Sequence, residues 1–262
     1  MSEKSFVLET RDVMIRFGGL TAVNNFNIQV PEGSIVGLIG PNGAGKTTCF
    51  NIITGFYKPT KGEVFLEGRP ITGLPPHKVC EAGIARTFQN IRLFYNETVL
   101  QNVMIGGFVR QKSPWWMAPL MIPSCTREEQ QLRDEAMELL ASVGLDKLAG
   151  ETSNSLPYGA QRRLEIARAL ATRPRFLLLD EPAAGMNPQE SQELMEFIKR
   201  IRTDFNLTIL LIEHDMKVVM GVCEHIWVLD YGILIAEGNP EQIRSNPKVI
   251  EAYLGEEATQ NA

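Results

Sequence analysis

The run Gly40-Pro41-Asn42-Gly43-Ala44-Gly45-Lys46-Thr47 has the residue types and spacing to hold polyphosphate. It fits G-x-x-x-x-G-K-[ST], in which glycines let the backbone approach an anion and successive N–H groups form a concavity around it. Lys46 would lie against the β- and γ-phosphates, and the Thr47 hydroxyl would ligate Mg²⁺. A second pair of chemical groups, Asp180 and Glu181, ends the apolar run Phe176-Leu177-Leu178-Leu179. Acids at the C-terminal end of a buried strand stand where ligands bind in open α/β sheets. Asp180 would hold the hydration shell of Mg²⁺ through water. Glu181 would orient and deprotonate an attacking water. Adjacent strand residues point to opposite faces, which would separate the two roles.

Such groups act only if strands and helices deliver them. Ser34 to Ile39 is an apolar strand pattern leading into the glycine-rich turn, and Lys46 to Thr54 reads as the helix after it. Phe176 to Leu179 and Thr208 to Ile212 are continuous apolar runs, the pattern of strands buried on both faces of a parallel sheet. Leu194, Phe197, Ile198 and Ile201 mark one face of a helix between them. Upstream, Val13, Ile15 and Phe17 alternate imperfectly with polar neighbours, Phe26, Ile28 and Val30 alternate cleanly, and Val64 to Leu66 forms a short strand. Ile226 to Leu229 and Ile233 to Ala236 flank Asp230-Tyr231-Gly232 as a hairpin, and two short helices close the chain.

From about Val99 to Ala171 the character changes. Leu132, Ala136, Leu139, Leu140 and Val143 recur at helical spacing, with Gly144 as the stop. Before them, three prolines, Trp115-Trp116 and two methionines make an unusual loop between 113 and 123. It either covers its own core or faces a partner.

The 262 residues, 44% hydrophobic and 22% charged, suit an ordinary soluble globular chain with a full core. A net charge of −5 argues against a nucleic-acid partner held by phosphate neutralisation. Cys49, Cys80, Cys125 and Cys223 are scattered and contain no C-x-x-C pair, as expected of reduced cytosolic thiols. The first residues lack the form of a secretion signal, and no apolar run approaches the ~20 residues of a membrane span.

The segment Leu156-Pro157-Tyr158-Gly159-Ala160-Gln161-Arg162-Arg163-Leu164-Glu165 resembles the signature of ATP-binding cassette (ABC) ATPases, L-S-G-G-Q followed by a basic helix. Other cassette motifs follow in order, so the resemblance covers the whole chain. It implies an α/β fold, a P-loop NTPase of ABC type, with a mixed sheet core, an N-terminal antiparallel β subdomain and an inserted helical subdomain. Residues 1–98 and 172–262 would form the core and β subdomain of a single 1–262 domain. Residues 99–171 would form the signature subdomain, with a loop insertion near 112–126. Phe17 matches the aromatic that stacks on adenine, and Thr48 joins the loop residues in the ATP site. Gln89, in Arg86-Thr87-Phe88-Gln89-Asn90, matches the glutamine linking the metal to the transmembrane partner. His214 matches the histidine that contacts the γ-phosphate. Leu156 to Gln161 would be offered to ATP held by another subunit.

Two positions depart from the family pattern. Pro157 replaces the signature serine and Tyr158 its first glycine, which puts one phosphate contact in question. Asn187 replaces the usual aspartate of the loop after the acids. Arg162, Arg163 and Arg168 either make a solvated basic face or pack at the dimer interface.

The Thr87 to Phe94 block, the Leu-Pro-Tyr-Gly signature and the ending from Asn246 to Gly255 are similar to the larger ATPase subunit of bacterial branched-chain amino-acid importers. That resemblance implies ATP and Mg²⁺ as ligands. The implied partners are a second ABC ATPase or a second copy, two transmembrane permeases, and indirectly a periplasmic solute-binding protein. The implied location is peripheral, on the cytoplasmic face of the inner membrane. Urea or amide import and lipopolysaccharide export share the same ATP-site residues. A soluble ABC ATPase acting on ribosomes or DNA fits less well, because the chain has one cassette, no heptads and an acidic balance. A P-loop kinase would leave the signature without a purpose.

Overall fold

The computed structural model describes residues 6–111 and 123–260. Ten strands and nine helices occur among them in the order β1 (Phe6–Phe17), β2 (Leu20–Pro31), β3 (Ile35–Ile39), α1 (Lys46–Ile53), β4 (Lys61–Leu66), β5 (Arg69–Pro70), α2 (Pro76–Glu81), β6 (Ile84–Arg86), α3 (Val99–Gly107), α4 (Pro123–Ser142), α5 (Tyr158–Leu170), β7 (Phe176–Asp180), α6 (Pro188–Asp204), β8 (Thr208–Ile212), α7 (Met216–Val222), β9 (His225–Asp230), β10 (Ile233–Gly238), α8 (Pro240–Arg244) and α9 (Pro247–Gln260). They divide into two compact units, Met1–Arg86 with Arg175–Ala262, and Thr87–Pro174. Trp115 and Trp116 lie outside the described residues. Of the insertion expected near 112–126, residues 112–122 also lie outside the described residues, and α4 begins at Pro123.

The first unit holds two sheets. One is antiparallel, ordered β2-β1-β4-β5, and the other is mixed, ordered β10-β9-β3-β8-β7-β6. In β2, Phe26, Ile28 and Val30 are buried while Asn25, Asn27 and Gln29 are exposed, as their alternation predicts. The imperfect alternation of β1 has a cause. Its register with β2 shifts between Thr10 and Val13, and Asp12 sits there at φ 50, so a bulge reverses the facing of later side chains. In the mixed sheet every residue of β3, β7 and β8 is buried, and these strands pair in parallel. The β9–β10 hairpin forms one edge and β6 the other. Apolar residues of both sheets and of α1 share one core, including Phe26, Ile28, Leu38, Phe50, Phe176 and Trp227.

Helix α6 shows how sequence sets an element here. Asn187 accepts from the N–H groups of Gln189 and Glu190, Glu190 returns a bond to the Asn187 N–H, and Pro188 opens the first turn. Leu194, Phe197, Ile198 and Ile201 are buried along one face. Each such side chain stabilises by about 1.5–3 kcal/mol when fully buried.

In the second unit α3 packs on α4 and α5. Leu132, Ala136, Leu140 and Val143 of the α4 segment are buried, and Gly144 at φ 71 ends it as expected. The close crossing of α3 and α5 needs Gly106, where an added Cβ would stand 2.2 Å from the Arg168 carbonyl oxygen. This unit opens at Thr87 rather than at 99 because the Phe88 to Arg92 stretch is bonded to α5. Phe88 and Arg92 N–H groups donate to Glu165 Oε1 at 3.4 and 3.1 Å. Arg162 Nη1 and Nη2 donate to the carbonyls of Phe88 and Gln89 at 2.7 and 2.8 Å.

Candidate active site

Parallel pairing brings the chemical groups to one sheet edge. Leu38 and Asp180 both register against Ile212, so the C-terminal ends of β3, β7 and β8 lie level. From those ends emerge the Gly40–Thr47 loop, the Asp180-Glu181 pair and Glu213-His214. This is the edge where open α/β sheets bind ligands.

The loop is locked by its glycines. Gly40 sits at φ 151, and a Cβ there would meet the Leu229 carbonyl oxygen at 1.9 Å. Gly45, at φ 105, is the residue before the first turn of α1. Lys46 is buried, and its Nζ donates to the carbonyls of Gly40 and Pro41 at 2.6 and 2.8 Å. The ammonium is thereby held across the mouth of the loop, beside the N-terminus of α1, whose dipole adds to the attraction for anions. Pro41 and Ala44 are buried, Thr48 is half-buried, and Asn42, Gly43 and Thr47 are exposed. Cys49, on the same helix, is fully buried, and burial pushes its thiol far above the ordinary range, so it serves packing.

Phe17 ends β1 with 45% of its surface exposed. Its ring meets Tyr57 edge to face, with centroids 5.2 Å apart. An exposed aromatic face held in one orientation can stack on a base.

Asp180 is the last residue of β7 and is buried. Glu181 does not continue the strand. It turns into the left-handed region at φ 46, while its N–H donates to the Ile212 carbonyl at 2.9 Å. A turn therefore separates the two acids, where alternation along a strand had been expected to. Positive φ at a non-glycine residue costs of order 1–3 kcal/mol and gathers at functional sites. The turn brings Glu181 Oε2 to 3.5 Å from His214 Nδ1.

Glu213 carries no signal in the sequence, yet it organises this edge. It is fully buried and accepts from the N–H groups of Ala183, His214 and Asp215 at 2.7, 3.1 and 3.4 Å. One carboxylate thus ties the turn after β7 to the turn after β8. Burial raises its pKa above the ordinary 4.5 despite these bonds. The folded state then binds the Glu213 proton more tightly than the unfolded chain does. Stability from this group is full below the unfolded pKa and falls as pH rises from there through the raised folded pKa. Glu213→Gln should flatten that decline, and urea unfolding at a series of pH values checks it. An unchanged slope would mean that other carboxylates set the acid side of the profile.

The remaining predicted residues belong to the second unit. Gln89 is exposed, and its carbonyl is held by Arg162 as described above. Leu156 is buried, Pro157 and Tyr158 are exposed, and Gly159 lies in the first turn of α5 with nothing within 4 Å of an added Cβ. Pro157 caps α5 without a side-chain bond, and Gln161 Nε2 donates to the Leu156 carbonyl at 2.8 Å. Ala160 is buried against this turn.

Arg162 is neither a solvated nor an interfacial residue. It is 0% exposed and paired with Glu165 at 2.8 Å, and its guanidinium also reaches the Tyr158 hydroxyl at 3.3 Å. Arg168 lies with its guanidinium carbon 5.5 Å from the Phe94 ring centroid. Asn187 is committed to capping α6.

Thr47 and Asp180 supply hard oxygen donors, one hydroxyl and one carboxylate, which suits a partly hydrated Mg²⁺. Among the described residues no cluster of three or more His, Cys, Asp or Glu could hold a metal by itself.

Comparison with known proteins identifies the family. The ABC transporter family matches residues 23–184, and the branched-chain amino acid ATP-binding cassette transporter family matches residues 234–259. The chain is 48% identical to the high-affinity branched-chain amino acid transport ATP-binding protein BraF of Pseudomonas aeruginosa, over 95% of this chain and 98% of that one. A solved ATP-binding cassette of an ABC transporter in its ADP conformation superposes with a TM-score of 0.84 at 33% identity, covering 95% of this chain and 99% of that chain. A dimeric cassette in a post-hydrolysis state, bound to ADP and Pi, superposes with a TM-score of 0.73 at 27% identity, over 89% and 98% of the two chains. With a family model matched over more than half its length and a relative 48% identical along nearly all of it, the chain belongs to the ABC transporter family.

Proposed function

We propose that the chain is the ATP-hydrolysing subunit of an importer for branched-chain amino acids. The observation that carries the chemistry is the Glu181–His214 approach of 3.5 Å at the edge that also carries the phosphate loop. ATP binds with Phe17 on its base and the Gly40–Thr47 loop and Thr48 around its phosphates. Lys46 and His214 offset charge on the γ-phosphoryl group. Glu181 orients a water and takes its proton, and the nearby His214 keeps that carboxylate aimed. Thr47 and, through water, Asp180 would hold Mg²⁺, which when bound neutralises phosphate charge.

The signature Leu156–Gln161 completes the ATP site of a second ABC subunit, whether a different cassette or another copy, as the dimeric relative suggests. Pro157 has neither a hydroxyl nor an N–H to offer, so in a heterodimer the two ATP sites differ in their phosphate contacts. The inserted helical subdomain, expected as 99–171 within one 1–262 ATPase domain, transmits the state of Gln89 to a pair of membrane permeases. The subunit then works at the cytoplasmic face of the inner membrane, with a periplasmic binding protein delivering the solute.

The cargo rests on the name of the 48%-identical relative and on the match at residues 234–259. Urea or amide import and lipopolysaccharide export would use the same ATP-site residues. The test is the ATPase rate of the purified complex of this chain with its membrane partners. Binding protein loaded with leucine, isoleucine or valine should stimulate it. Stimulation by another solute and by none of these three would replace the cargo.

A further inference from the structure

Arg86 ends β6, three residues before Gln89 in the chain, and has been given no role of its own above. Its side chain and that of Asp180 are each 6% exposed, and they pair at 2.6 Å through Nη2 and Oδ2. Its other nitrogen, Nη1, donates to Asn51 Oδ1 at 2.7 Å and approaches Thr54 Oγ1 at 3.4 Å. The guanidinium carbon lies 5.4 Å from the Phe50 ring centroid. Phe50 and Asn51 belong to α1 and Thr54 caps its end. One rigid, planar group therefore joins the strand that ends in Asp180 to the helix whose first turn carries Lys46 and Thr47.

We propose that Arg86 is a positioning residue for the Mg²⁺–nucleotide complex. It fixes the Asp180 carboxylate against α1, so that two of the protein oxygens expected to face the cation, those of Asp180 and Thr47, are held in relation to each other by a single side chain. The proposal rests on the reading of Asp180 and Thr47 as metal contacts. Two features support it over a purely structural pair. The guanidinium fork spans two elements at once, which a lysine ammonium cannot reproduce. Arg86 holds Asp180 through Oδ2, so the carboxylate is oriented as well as charge-compensated. Compensation of the Asp180 charge by Arg86 also disfavours a bare cation, so the metal is taken up together with phosphates rather than before them.

The test uses the full chain with a non-hydrolysable ATP analogue, and reads Mn²⁺ binding by electron paramagnetic resonance alongside the thermal midpoint. Arg86→Lys keeps the charge and loses the fork. It should lower Mn²⁺ affinity of the nucleotide complex about ten- to a hundredfold, the range for lost hydrogen bonds to charged groups. Nucleotide affinity in excess chelator should stay within about twofold, since positioning of the metal acid is then irrelevant. Asn51→Ala, which cuts only the link to α1, should shift Mn²⁺ affinity in the same direction by less. It carries the test if Arg86 variants fold poorly. Unchanged Mn²⁺ affinity in folded Arg86→Lys and Asn51→Ala, whatever the fall in thermal midpoint, would overturn the proposal and leave the pair structural. Asp180→Asn serves as the control for the underlying reading. If it leaves Mn²⁺ affinity at the wild-type value, Asp180 is not a metal contact, and that failure is distinct from the failure of Arg86 alone.

Discussion

Glu181→Gln is expected to bind ATP within a few-fold of the wild-type affinity and to lose turnover by about 10²- to 10⁴-fold, the range for removal of a positioned general base. The amide keeps the size and the donor-acceptor reach of the carboxylate. It also tolerates the φ of 46 at this position about as poorly as the acid does, so the turn after β7 survives. What the amide cannot do is take a proton from water. The change therefore separates positioning from proton transfer, where Glu181→Ala would mix the two. Steady-state phosphate release and equilibrium ATP binding on the same preparation check it. Hydrolysis near the wild-type rate would remove Glu181 from the role and would point to His214, 3.5 Å away, as the group to examine.

Arg162→Met should destabilise the second unit by about 3–5 kcal/mol, the range seen when one member of a buried ion pair is removed. The guanidinium is fully enclosed and serves Glu165, Tyr158 and the carbonyls of Phe88 and Gln89. Methionine fills much of the volume but leaves Glu165, at 1% exposure, without its counter-charge. Hydrogen exchange across residues 87–174 should rise, while the first unit keeps its protection. Arg162→Met with Glu165→Leu should recover a large part of the loss, because a packed apolar pair replaces a paired charge at little net cost. A double variant no more stable than the single would mean that the backbone carbonyls, rather than the charge, need the arginine. The ATPase rate adds a second readout. The loop containing Gln89 is held to the signature helix by these bonds, so loosening them should lower turnover even where nucleotide binding persists.

The parts of the fold that were legible in the sequence share one physical property: their signal is local. β3, β7 and β8 are unbroken apolar runs because both faces of a parallel sheet are covered, and the same residues prove to be fully buried. The β9–β10 hairpin and α8 sit within a residue or two of where turn residues and periodicity place them. β6 escaped because three residues, Ile84 to Arg86, are too few to display a period. Short helices α2 and α7 escaped for the same reason. In β1 the bulge at Asp12 broke the alternation that would have marked the strand clearly.

At the site, residue type alone nominated Lys46, Thr47, Asp180 and Glu181, because phosphate and metal chemistry demands those side chains in that order. Gln89, His214 and Phe17 came from resemblance, and no local pattern distinguishes them from structural residues of the same type. By itself, then, the sequence determined the strand and helix that flank the glycine-rich loop, and nominated the loop and the acids as a site; the signature segment was nominated by resemblance. Tertiary structure alone decided which acid turns toward His214, that Glu213 ties the two turns together, that Arg86 holds Asp180, and that Arg162 is buried instead of solvated. The reason is one of distance along the chain. A hydrogen bond between Arg86 and Asp180, or between Glu213 and Ala183, joins residues that periodicity and spacing treat as unrelated. Such partnerships exist only once packing has removed water from around the charges and left them the few polar groups within reach.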